Sequence, residues 1–432
     1  MLKALAQALE RLPPARRWLL GLSGGLDSVA LLHGLAQLDA PAGSPGLRAV
    51  HVHHGLHARG DEWARHCQVL CDALEVPLEV VSVDARPRRG QSPEAAARRA
   101  RYEALADRMA PGDALLTAHH RRDQAETLLL QLLRGAGPAG LSAMPRWQPY
   151  GSGWHGRPLL DMDRSVLEAY AHQHDLVWVE DDSNTDLGLD RNLLRHEVMP
   201  QLRQRWPALD TTLARAAGLQ AEAQELLAER AREDLQDLRG EVAGTLSIPA
   251  IRALRRPRQR NALRGWLQEK GLPVPNQNRL ESLLQQIRNA SPDTRLRVSW
   301  PGAEVRGYRD GLHAMEPLPP VDPGRVWSWD GTTDLHLPEL GMTLSLEALV
   351  DLHELDPTRL EWPLTVRLRR GGETCRLRGQ TRILKKLFQE AGIPPWERER
   401  IPLIHAGDRL AVVWGLWCCD LPTGVVGGEA PE

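Results

Sequence analysis

The sequence predicts an α/β protein with a doubly wound parallel sheet, followed by a helical domain and a small α+β domain. Two observations predict the sheet. An apolar run, Trp18–Leu22, leads through a glycine-containing turn into a helical pattern, which is typical of a strand, a loop and a helix. Further apolar runs at Leu47–Val52, Leu78–Val83 and Ala114–Ala118 are each followed by another helical pattern. Because ligands of such sheets lie at the carboxyl ends of the strands, we expect the functional site on the loops that follow these runs.

The pattern changes twice further along the chain, which predicts three domains over residues 1–208, 209–320 and 321–432. A charged, Ala- and Leu-rich helix over Thr211–Leu238 indicates that the second domain is helical. The proline- and glycine-rich stretch Pro317–Gly324 breaks that pattern and marks the next boundary. Beyond it we expect short strands around one helix, with strands at Val326–Trp329, Leu364–Leu368 and Leu410–Trp417 and the helix at Arg382–Ala391.

Composition and cysteine usage exclude several classes of protein. The 432 residues carry a formal net charge of −2. The chain has no signal peptide and no apolar run of about eighteen residues, so neither secretion nor membrane insertion is expected and the protein is predicted to be cytoplasmic. The cysteines are odd in number and irregularly spaced, which argues against a disulfide framework or a zinc knuckle; they are Cys67, Cys71, Cys375, Cys418 and Cys419.

The first loop has the composition of a phosphate-binding loop. It consists of Ser23, Gly24, Gly25, Leu26, Asp27 and Ser28. Two glycines allow successive backbone N–H groups to face one anion, and the helix that follows directs its unpaired N–H groups at the same point. The helix dipole contributes only about 0.3–1 kcal/mol, so the loop amides and a metal ion must share the charge of a polyphosphate. No lysine follows the loop, in contrast to a Walker motif.

Polar clusters follow the second and fourth predicted strands. His51–Leu56 ends the second strand and suits an adenine ring; zinc is the alternative, although neighbouring histidines on a strand alternate between faces. Asp123 and Glu126 are three residues apart at a helix start and therefore share one face. They either complement the helix dipole or bind a cation, which would be Mg²⁺ or an ammonium group. Asp181–Asn184 and Arg191–Arg195 form a further polar cluster, which by itself fits a solvated loop and a helix cap.

Positive charge is concentrated in two stretches despite the nearly neutral total. The middle domain contains arginines with no acid among them, namely Arg252, Arg255, Arg256, Arg258, Arg260 and Arg264. Such a stretch suits phosphate contacts that fix the register of a nucleic acid without reading its sequence, and we expect Arg252, Arg255, Arg256 and Arg258 to make them. The last domain has a basic stretch over Pro363–Arg400, for which a solvated basic surface is the alternative to nucleic-acid binding.

Taken together, these motifs resemble the tRNA(Ile)-lysidine synthetase family of PP-loop ATP pyrophosphatases along nearly the whole chain. Many adenylating enzymes share the phosphate loop, whereas the combination and order of the motifs are specific to this family. One position departs from it, because Arg122 stands where the family usually has the first of two acids, so that acid is either dispensable or replaced here. The matching segments are Ser23–Ser28, His51–Leu56, Arg98–Tyr102, His119–Thr127, Leu133–Gly137, Arg157–Leu160, Asp181–Arg195, Arg369–Glu373, Lys385–Glu390 and Ile393–Arg398.

The resemblance implies ATP-dependent chemistry on a tRNA. In this family ATP adenylates the C2 oxygen of the wobble cytidine in the CAU anticodon of tRNA(Ile), and pyrophosphate leaves. The ε-amine of L-lysine then displaces AMP, and the lysidine that results reads AUA instead of AUG. The resemblance therefore implies ATP and Mg²⁺ as cofactors and tRNA(Ile) and L-lysine as partners. It leaves open whether the chain acts as a monomer or a homodimer.

The same resemblance assigns roles to individual residues. Asp123 and Glu126 match positions for lysine recognition, and Arg195 matches a position that either neutralises charge at the adenylated base or holds the lysine carboxylate. Asp27 is expected to be catalytic and to bind or orient Mg²⁺, while the general base, an acid or a histidine, is not identified. In the last domain tRNA contacts are implied at Arg369, Arg370, Lys385 and Lys386. ATP contacts are implied at Ser23, Gly24, Gly25, Leu26, Asp27, Ser28, His54 and Arg101.

Other classes of protein fit the sequence less well. A glutamine-dependent amidotransferase with this loop would need a nucleophilic cysteine at its N-terminus, and a tRNA thiolase would need reactive cysteines near the site. Cys67 and Cys71 are four residues apart on a predicted helix, a spacing that fits a core. A tRNA-binding module without catalytic activity would not need the phosphate loop.

Overall fold

The computed structural model describes residues 1–38, 45–55, 59–86, 93–180, 186–291, 296–353 and 355–420. The motif residue Leu56 and the segment Asp181–Asn184 lie outside the described residues. The chain divides into two compact units, Met1–Glu229 and Arg230–Glu432. None of the described helices combines the length and the apolar character that crossing a bilayer requires.

The first unit contains one six-stranded sheet. Its strands are β1 (Arg17–Gly21), β2 (Gly46–His53), β3 (Leu78–Ser82), β4 (Asp113–Leu116), β5 (Trp147–Tyr150) and β6 (Gly153–Gly156). The strand order is β3-β2-β1-β4-β6-β5, and the neighbouring strands are parallel except for β5 with β6. The strand order reverses between β1 and β4, so the carboxyl ends of these two strands lie side by side. The predicted doubly wound parallel sheet is confirmed.

Helices cover both faces of this sheet. The side chains of a strand alternate between the two faces of the sheet. Leu20 and Leu116 therefore pack with the helices at residues 26–36 and 164–173, whereas Leu19 and Leu115 pack with the helix at residues 93–106. Burial on both faces explains why the strands are continuous apolar runs. The helices are α1 (Leu2–Glu10), α2 (Leu26–Ala36), α3 (Gly60–Ala73), α4 (Pro93–Ala106), α5 (Arg121–Leu133), α6 (Pro138–Leu141), α7 (Arg164–Gln173), α8 (Asp190–Leu193), a π-helical turn (Leu194–Val198), α9 (Met199–Arg205) and α10 (Leu209–Leu238).

The second unit begins with helices, as predicted, and also contains a sheet that the sequence pattern did not indicate. The helices are α11 (Ile248–Ala253), α12 (Arg256–Glu269) and α13 (Gln277–Asn289). The strands β7 (Leu246–Ser247), β8 (Arg297–Trp300), β9 (Ala303–Tyr308) and β10 (Gly311–Met315) form an antiparallel sheet in the order β7-β10-β9-β8. The predicted helical region is confirmed, whereas the sheet within it was not predicted, because strands this short give little periodic signal.

The C-terminal part of the second unit is the expected mixture of short strands and helices. The strands β11 (Val326–Trp329), β14 (Leu364–Arg367), β17 (Leu403–Ala406), β18 (Arg409–Val413) and β19 (Trp417–Cys418) form one sheet. Two hairpins pair β12 (Leu335–Leu337) with β13 (Met342–Leu344) and β15 (Thr374–Leu377) with β16 (Gln380–Ile383). The helices are α14 (Leu346–His353), α15 (Leu384–Glu390) and α16 (Pro395–Arg398), and 3₁₀ turns occur at Pro338–Leu340 and Pro357–Arg359.

One expectation about the cysteines is wrong. Cys375 and Cys419 form a disulfide with their Cα atoms 5.6 Å apart, although 44 residues separate them in sequence. Both side chains are buried in one apolar cluster around α15. Irregular spacing along the chain gave no indication of this pairing, because β15 and the last strand meet only in the folded domain. Cys67 and Cys71 are buried thiols, as expected for core residues, and desolvation raises their pKa values to about 12 and about 11.

Candidate active site

The phosphate loop joins β1 to α2 at the carboxyl end of β1. Gly24 has a φ of +85°, and a Cβ there would lie 2.9 Å from Cγ2 of Val179, so glycine is required. The hydroxyl oxygens of Ser23 and Ser28 are 3.0 Å apart, and Ser28 Oγ donates to the Gly25 carbonyl at 2.9 Å. These bonds hold the loop in one shape, while the first N–H groups of α2 have no intrahelical acceptor, as at any helix start. The arrangement suits an anion.

Asp27 lies in the first turn of α2 between the side chains of His120 and Arg164. Its Oδ2 is 3.5 Å from His120 Nε2, and its Oδ1 is 3.7 Å from Arg164 Nε. Oδ1 is buried and accepts no hydrogen bond from the part of the chain that the structure describes. An unpartnered carboxylate oxygen fits a hard cation such as Mg²⁺. The described residues provide no cluster of three or more acidic, histidine or cysteine side chains for a metal, so phosphate oxygens and water would complete the coordination.

Two carboxylates lie at the start of α5, directly after β4. Asp123 is 8 % exposed and Glu126 is fully buried. Asp123 Oδ2 accepts a hydrogen bond from the His120 backbone N–H at 3.0 Å, which closes the first turn of the helix. His120 Nε2 also lies 3.4 Å from Asp123 Oδ2. Since the same imidazole faces Asp27, His120 links the phosphate loop to the carboxylate pair.

Two arginines from α8 and the π-helical turn bind this carboxylate pair. Arg191 donates from Nη2 to Asp123 Oδ1 at 2.9 Å and from Nε to Glu126 Oε2 at 3.1 Å. Arg195 donates to Glu126 Oε1 at 2.9 Å and Oε2 at 2.8 Å, and to Asp123 Oδ1 at 3.0 Å. The prediction that both carboxylates share one face is confirmed. The cations they hold are the protein's own guanidiniums.

The electrostatics of the site follow from this packing. Burial would raise the pKa of Asp123, but His120 and Arg191 outweigh it, so the pKa of this carboxyl is lowered. Burial would lower the pKa of His120, yet Asp123 and Asp27 raise it overall. Burial likewise opposes the charge on Arg195, and its hydrogen bonds to Glu126 raise the pKa above the usual arginine value. The site therefore contains alternating fixed charges.

The histidines that follow β2 have separate partners. His51 is buried and donates from Nδ1 to the Leu22 carbonyl at 2.9 Å, which ties β2 to the entry of the phosphate loop. His53 Nε2 lies 3.3 Å from Asp61 Oδ1. The structure brings together His54 and Arg101, both predicted to contact ATP, because Arg101 Nε donates to His54 Nε2 at 3.2 Å. Their contact with a nucleotide remains a prediction.

Arg122, which replaces the usual acid, does not join the carboxylate pair. Its Nε lies 3.9 Å from Oδ2 of Asp210. Asp210 also accepts two hydrogen bonds from Arg203, at 2.9 and 3.0 Å. The charge of Arg122 is thus directed at the start of α10.

Three of the predicted tRNA-binding arginines, which lie on α11 and α12, have partners within the second unit. Arg252 donates to carbonyls at the end of α13, Arg256 to Glu281, and Arg258 to Asp234. The stretch lacks acids in sequence, but folding brings acids to it from other helices. Arg255 and Arg264 are exposed.

The predicted tRNA-binding residues of the last domain also divide into arginines with partners inside the protein and exposed lysines. Arg370 donates to the carbonyls of Pro323 and Gly324 at 2.9 and 2.8 Å, and Arg369 lies 3.6 Å from Glu373. Lys385 and Lys386 are exposed on α15.

Sequence reasoning missed three cationic residues of the site. Arg164 begins α7 and reaches the phosphate loop because α7 packs on the same side of the sheet as α2. Arg191 belonged to the polar cluster Arg191–Arg195, but no role was predicted for it. It lies four residues before Arg195, a spacing that indicates a shared helix face. His120 carried no signal of its own, because its contact with Asp27 depends on the adjacency of β1 and β4.

A phosphate loop after β1, next to a carboxylate pair after β4, defines an ATP-using enzyme of the PP-loop class, and the PP-loop domain model matches residues 1–202. The TilS substrate binding domain matches residues 246–313, and the TilS substrate C-terminal domain matches residues 364–424. The chain belongs to the tRNA(Ile)-lysidine synthase family.

Full-length relatives support this membership. The chain is 44 % identical to the tRNA(Ile)-lysidine synthase of Alkalilimnicola ehrlichii, over 96 % of this chain and 93 % of the relative. It is 42 % identical to that of Methylococcus capsulatus, over 94 % of this chain and 92 % of the relative. Among solved structures, a U34-tRNA thiolase from Methanococcus maripaludis matches 50 % of this chain and 77 % of its own at 16 % identity and a TM-score of 0.42, too low to support an argument.

Proposed function

We propose that this chain makes lysidine on tRNA(Ile) in two steps at one site. In the first step the C2 oxygen of the wobble cytidine in the CAU anticodon attacks the α-phosphate of ATP, and the bond to pyrophosphate breaks. In the second step the lysine ε-amine forms a bond to C2, AMP leaves with the former C2 oxygen, and the amine gives up a proton. The observation that carries the proposal is His120, which lies 3.5 Å from Asp27 of the phosphate loop and 3.4 Å from Asp123 of the carboxylate pair. This contact supports one shared site for ATP and lysine.

We assign binding of the leaving pyrophosphate to the loop Ser23–Ser28, to Mg²⁺ held by Asp27, and to Arg164. The loop has no lysine, and Arg164 is the cation that folding brings beside it. Arg164 pairs with Asp27 here; when Mg²⁺ binds Asp27, the guanidinium becomes available to a phosphate, which it can bind through two N–H groups. His54 and Arg101 flank the nucleotide in this proposal.

The carboxylate pair is proposed to bind the lysine ammonium. Asp123 and Glu126 already accept hydrogen bonds from Arg191 and Arg195, so lysine must displace a guanidinium from at least one carboxylate oxygen. The displaced Arg195 can then hold the lysine carboxylate or the phosphate of the adenylated base. This exchange keeps the buried carboxylates paired throughout, which matters because an unpaired buried charge is costly.

The second unit is proposed to hold the tRNA. Exposed Arg255, Lys385 and Lys386 are the first candidates for phosphate contacts because their charges face solvent. Arg252, Arg256, Arg258, Arg369 and Arg370 would contact phosphates only through N–H groups that their internal partners leave unused.

ATP–pyrophosphate exchange, measured with and without unmodified tRNA(Ile), tests the proposal. We expect exchange only when the tRNA is present, and lysine should then convert the adenylated tRNA to lysidine with release of AMP. Binding of the tRNA without any exchange would favour a tRNA-binding module and contradict the two-step reaction.

A further inference from the structure

A chain of polar side chains runs from β6 to the loop after β4. Thr117 Oγ1 lies 2.8 Å from His119 Nδ1 and 2.8 Å from His155 Nε2. Arg157 Nη2 lies 3.2 Å from His155 Nδ1, and Arg157 Nη1 donates to the Pro145 carbonyl at 2.8 Å. His155 is fully buried, while Arg157 and Thr117 are 5 % and 9 % exposed. The parallel pairing of β4 with β6 places these groups side by side.

The arginine at the inner end sets the direction of every hydrogen bond. A guanidinium can only donate, so His155 Nδ1 accepts and the proton of this ring resides on Nε2. That Nε2–H donates to Thr117 Oγ1. Among the described residues, His119 Nδ1 is the acceptor that remains for the Thr117 hydroxyl proton. When the hydroxyl donates there, His119 carries its proton on Nε2; the opposite direction would leave the Thr117 hydroxyl proton without an acceptor among the described residues.

The charge state of both rings agrees with this direction. Desolvation, followed by the neighbouring Arg157, lowers the pKa of His155 to about 2. Desolvation lowers the pKa of His119 to about 3. Both imidazoles are neutral near pH 7, so neither supplies a second ring proton that would break the chain.

The outer end of the chain lies in the candidate active site. His119 immediately precedes His120, the residue that links the phosphate loop to the carboxylate pair. The side chain of His119 is partly exposed and lies close enough to Asp123 and Arg191 for their charges to act on its pKa. Arg191 and Arg195 already place positive charge nearby. A neutral N–H donor can bind an oxygen there without repelling the incoming lysine ammonium.

We propose that Arg157, His155 and Thr117 are positioning residues that fix His119 as a neutral Nε2–H donor, and that this donor binds an acceptor oxygen of the reacting nucleotides. The inference rests on the proposed two-step reaction at this site. The acceptor is either a phosphate oxygen of ATP or the C2 oxygen of cytidine. One consequence is that His119 is not the base that takes the proton of lysine, because Nδ1 is occupied by Thr117 and Nε2 is already protonated.

Nitrogen-15 NMR of the histidine rings tests the positioning chain without relying on activity. In the wild type and in Thr117→Ser, His119 should be the neutral Nε2–H tautomer. Thr117→Val, which has a similar shape but no hydroxyl, should allow the two tautomers of His119 to mix. A wild-type His119 with its proton on Nδ1, or a Thr117→Val spectrum identical to wild type, would overturn the chain.

Kinetics of His119 variants test the donor role and identify the acceptor. His119→Leu should lower kcat by roughly 10²–10³-fold, as removal of one preorganised donor does in other enzymes. His119→Gln places an amide N–H near the position of Nε2 and should restore part of the loss. If the acceptor is a phosphate oxygen, the KM for ATP should rise; if it is the C2 oxygen, the KM for ATP should stay normal while tRNA adenylation, and with it exchange, slows. His119→Leu with unchanged rates in both assays would overturn the donor role.

The two experiments separate this inference from the proposed function. If the wild-type protein forms no lysidine, the two-step reaction is wrong. The NMR experiment still tests the tautomer of His119, because it does not depend on activity. Thermal unfolding should be measured for each variant. The Tm of Thr117→Ser should match that of the wild type closely, so this variant is the folded reference for Thr117→Val.

Discussion

The two units of this chain contain the same kind of buried ion pair in different surroundings. In the first unit Glu126, fully buried, binds Arg191 and Arg195 beside the phosphate loop. In the second unit Asp234, 2 % exposed, binds Arg230 and Arg258 and ties α10 to α12. Burial and pairing alone therefore do not identify a functional carboxylate. The difference lies in position, because only Glu126 stands at the carboxyl end of the parallel sheet, where ligands of such folds bind.

The largest expected effect is at the phosphate loop. Asp27→Ala should lower ATP–pyrophosphate exchange by at least roughly 10²–10³-fold, because it removes the proposed Mg²⁺ ligand from the transition state. Affinity for tRNA should stay within a few-fold of wild type. Asp61→Ala is a matched control, since Asp61 is also an acid in the first turn of a helix but is exposed. Loss of tRNA binding in parallel with activity would contradict the assigned role.

The next effect compares the two buried carboxylates directly. Glu126→Gln and Asp234→Asn should each lower the free energy of unfolding by about 3 kcal/mol, because each removes a buried carboxylate charge that two arginines share. Only Glu126→Gln should also raise the KM for lysine, by roughly 10–150-fold, since a hydrogen bond to a charged group contributes about 1.5–3 kcal/mol. Urea unfolding and lysine-dependent AMP release measure the two effects.

Asp123→Asn provides a second variant if Glu126→Gln does not fold. It should raise the KM for lysine while adenylated tRNA still forms. Asp234→Asn with a similar rise in this KM would show that the comparison between the two carboxylates is wrong. If Asp123→Asn fails to consume ATP while its KM for lysine stays normal, Asp123 belongs to the metal site instead.

A smaller effect is expected at Arg164. Arg164→Gln should weaken inhibition by inorganic pyrophosphate and raise the KM for ATP, each by roughly 10-fold, because one partly exposed charge-assisted contact is lost. Glu168→Gln is the control, since Glu168 lies one turn further along α7 and its Oε1 is 3.5 Å from Arg164 Nε. Equal effects from both variants would mean that Arg164 acts only through the stability of the helix.

The smallest effect separates exposed from paired arginines in α12. Arg255→Glu should reduce the slope of log K against log salt for full-length tRNA(Ile) by roughly 0.7–0.9, the value for one lost phosphate contact. Arg258→Glu should instead affect folding first, because it places a second acid against buried Asp234. A salt slope that responds to Arg258→Glu but not to Arg255→Glu would reverse our ranking of these residues.

The sequence was most informative where a residue's role depends on its near neighbours. The loop Ser23–Ser28, the strands around it and the helix that begins near Asp123 were all predicted, because strand periodicity and helix starts are read over a few residues. The shared face of Asp123 and Glu126 followed from their spacing. In contrast, nothing in the sequence showed that Arg191 and Arg195 bind these carboxylates, since that contact joins segments 65 or more residues apart.

The same limit explains the failures in the second unit. The acid-free stretch Arg252–Arg264 predicted available charges, but Asp234 and Glu281 reach it from α10 and α13. The disulfide between Cys375 and Cys419 and the strands β7–β10 were missed for the same reason. Each depends on which elements become neighbours.

The sequence by itself determined the fold class, the phosphate loop and the family, because these depend on local backbone preferences, on alternating apolar patterns and on motifs at fixed spacing. The tertiary structure decided which charges meet. Only the adjacency of β1, β4 and β6 brings Asp27 to His120 and links Arg157, through His155 and Thr117, to His119. The physical reason is that hydrogen bonds and ion pairs act over a few ångströms in space, whatever the distance along the chain.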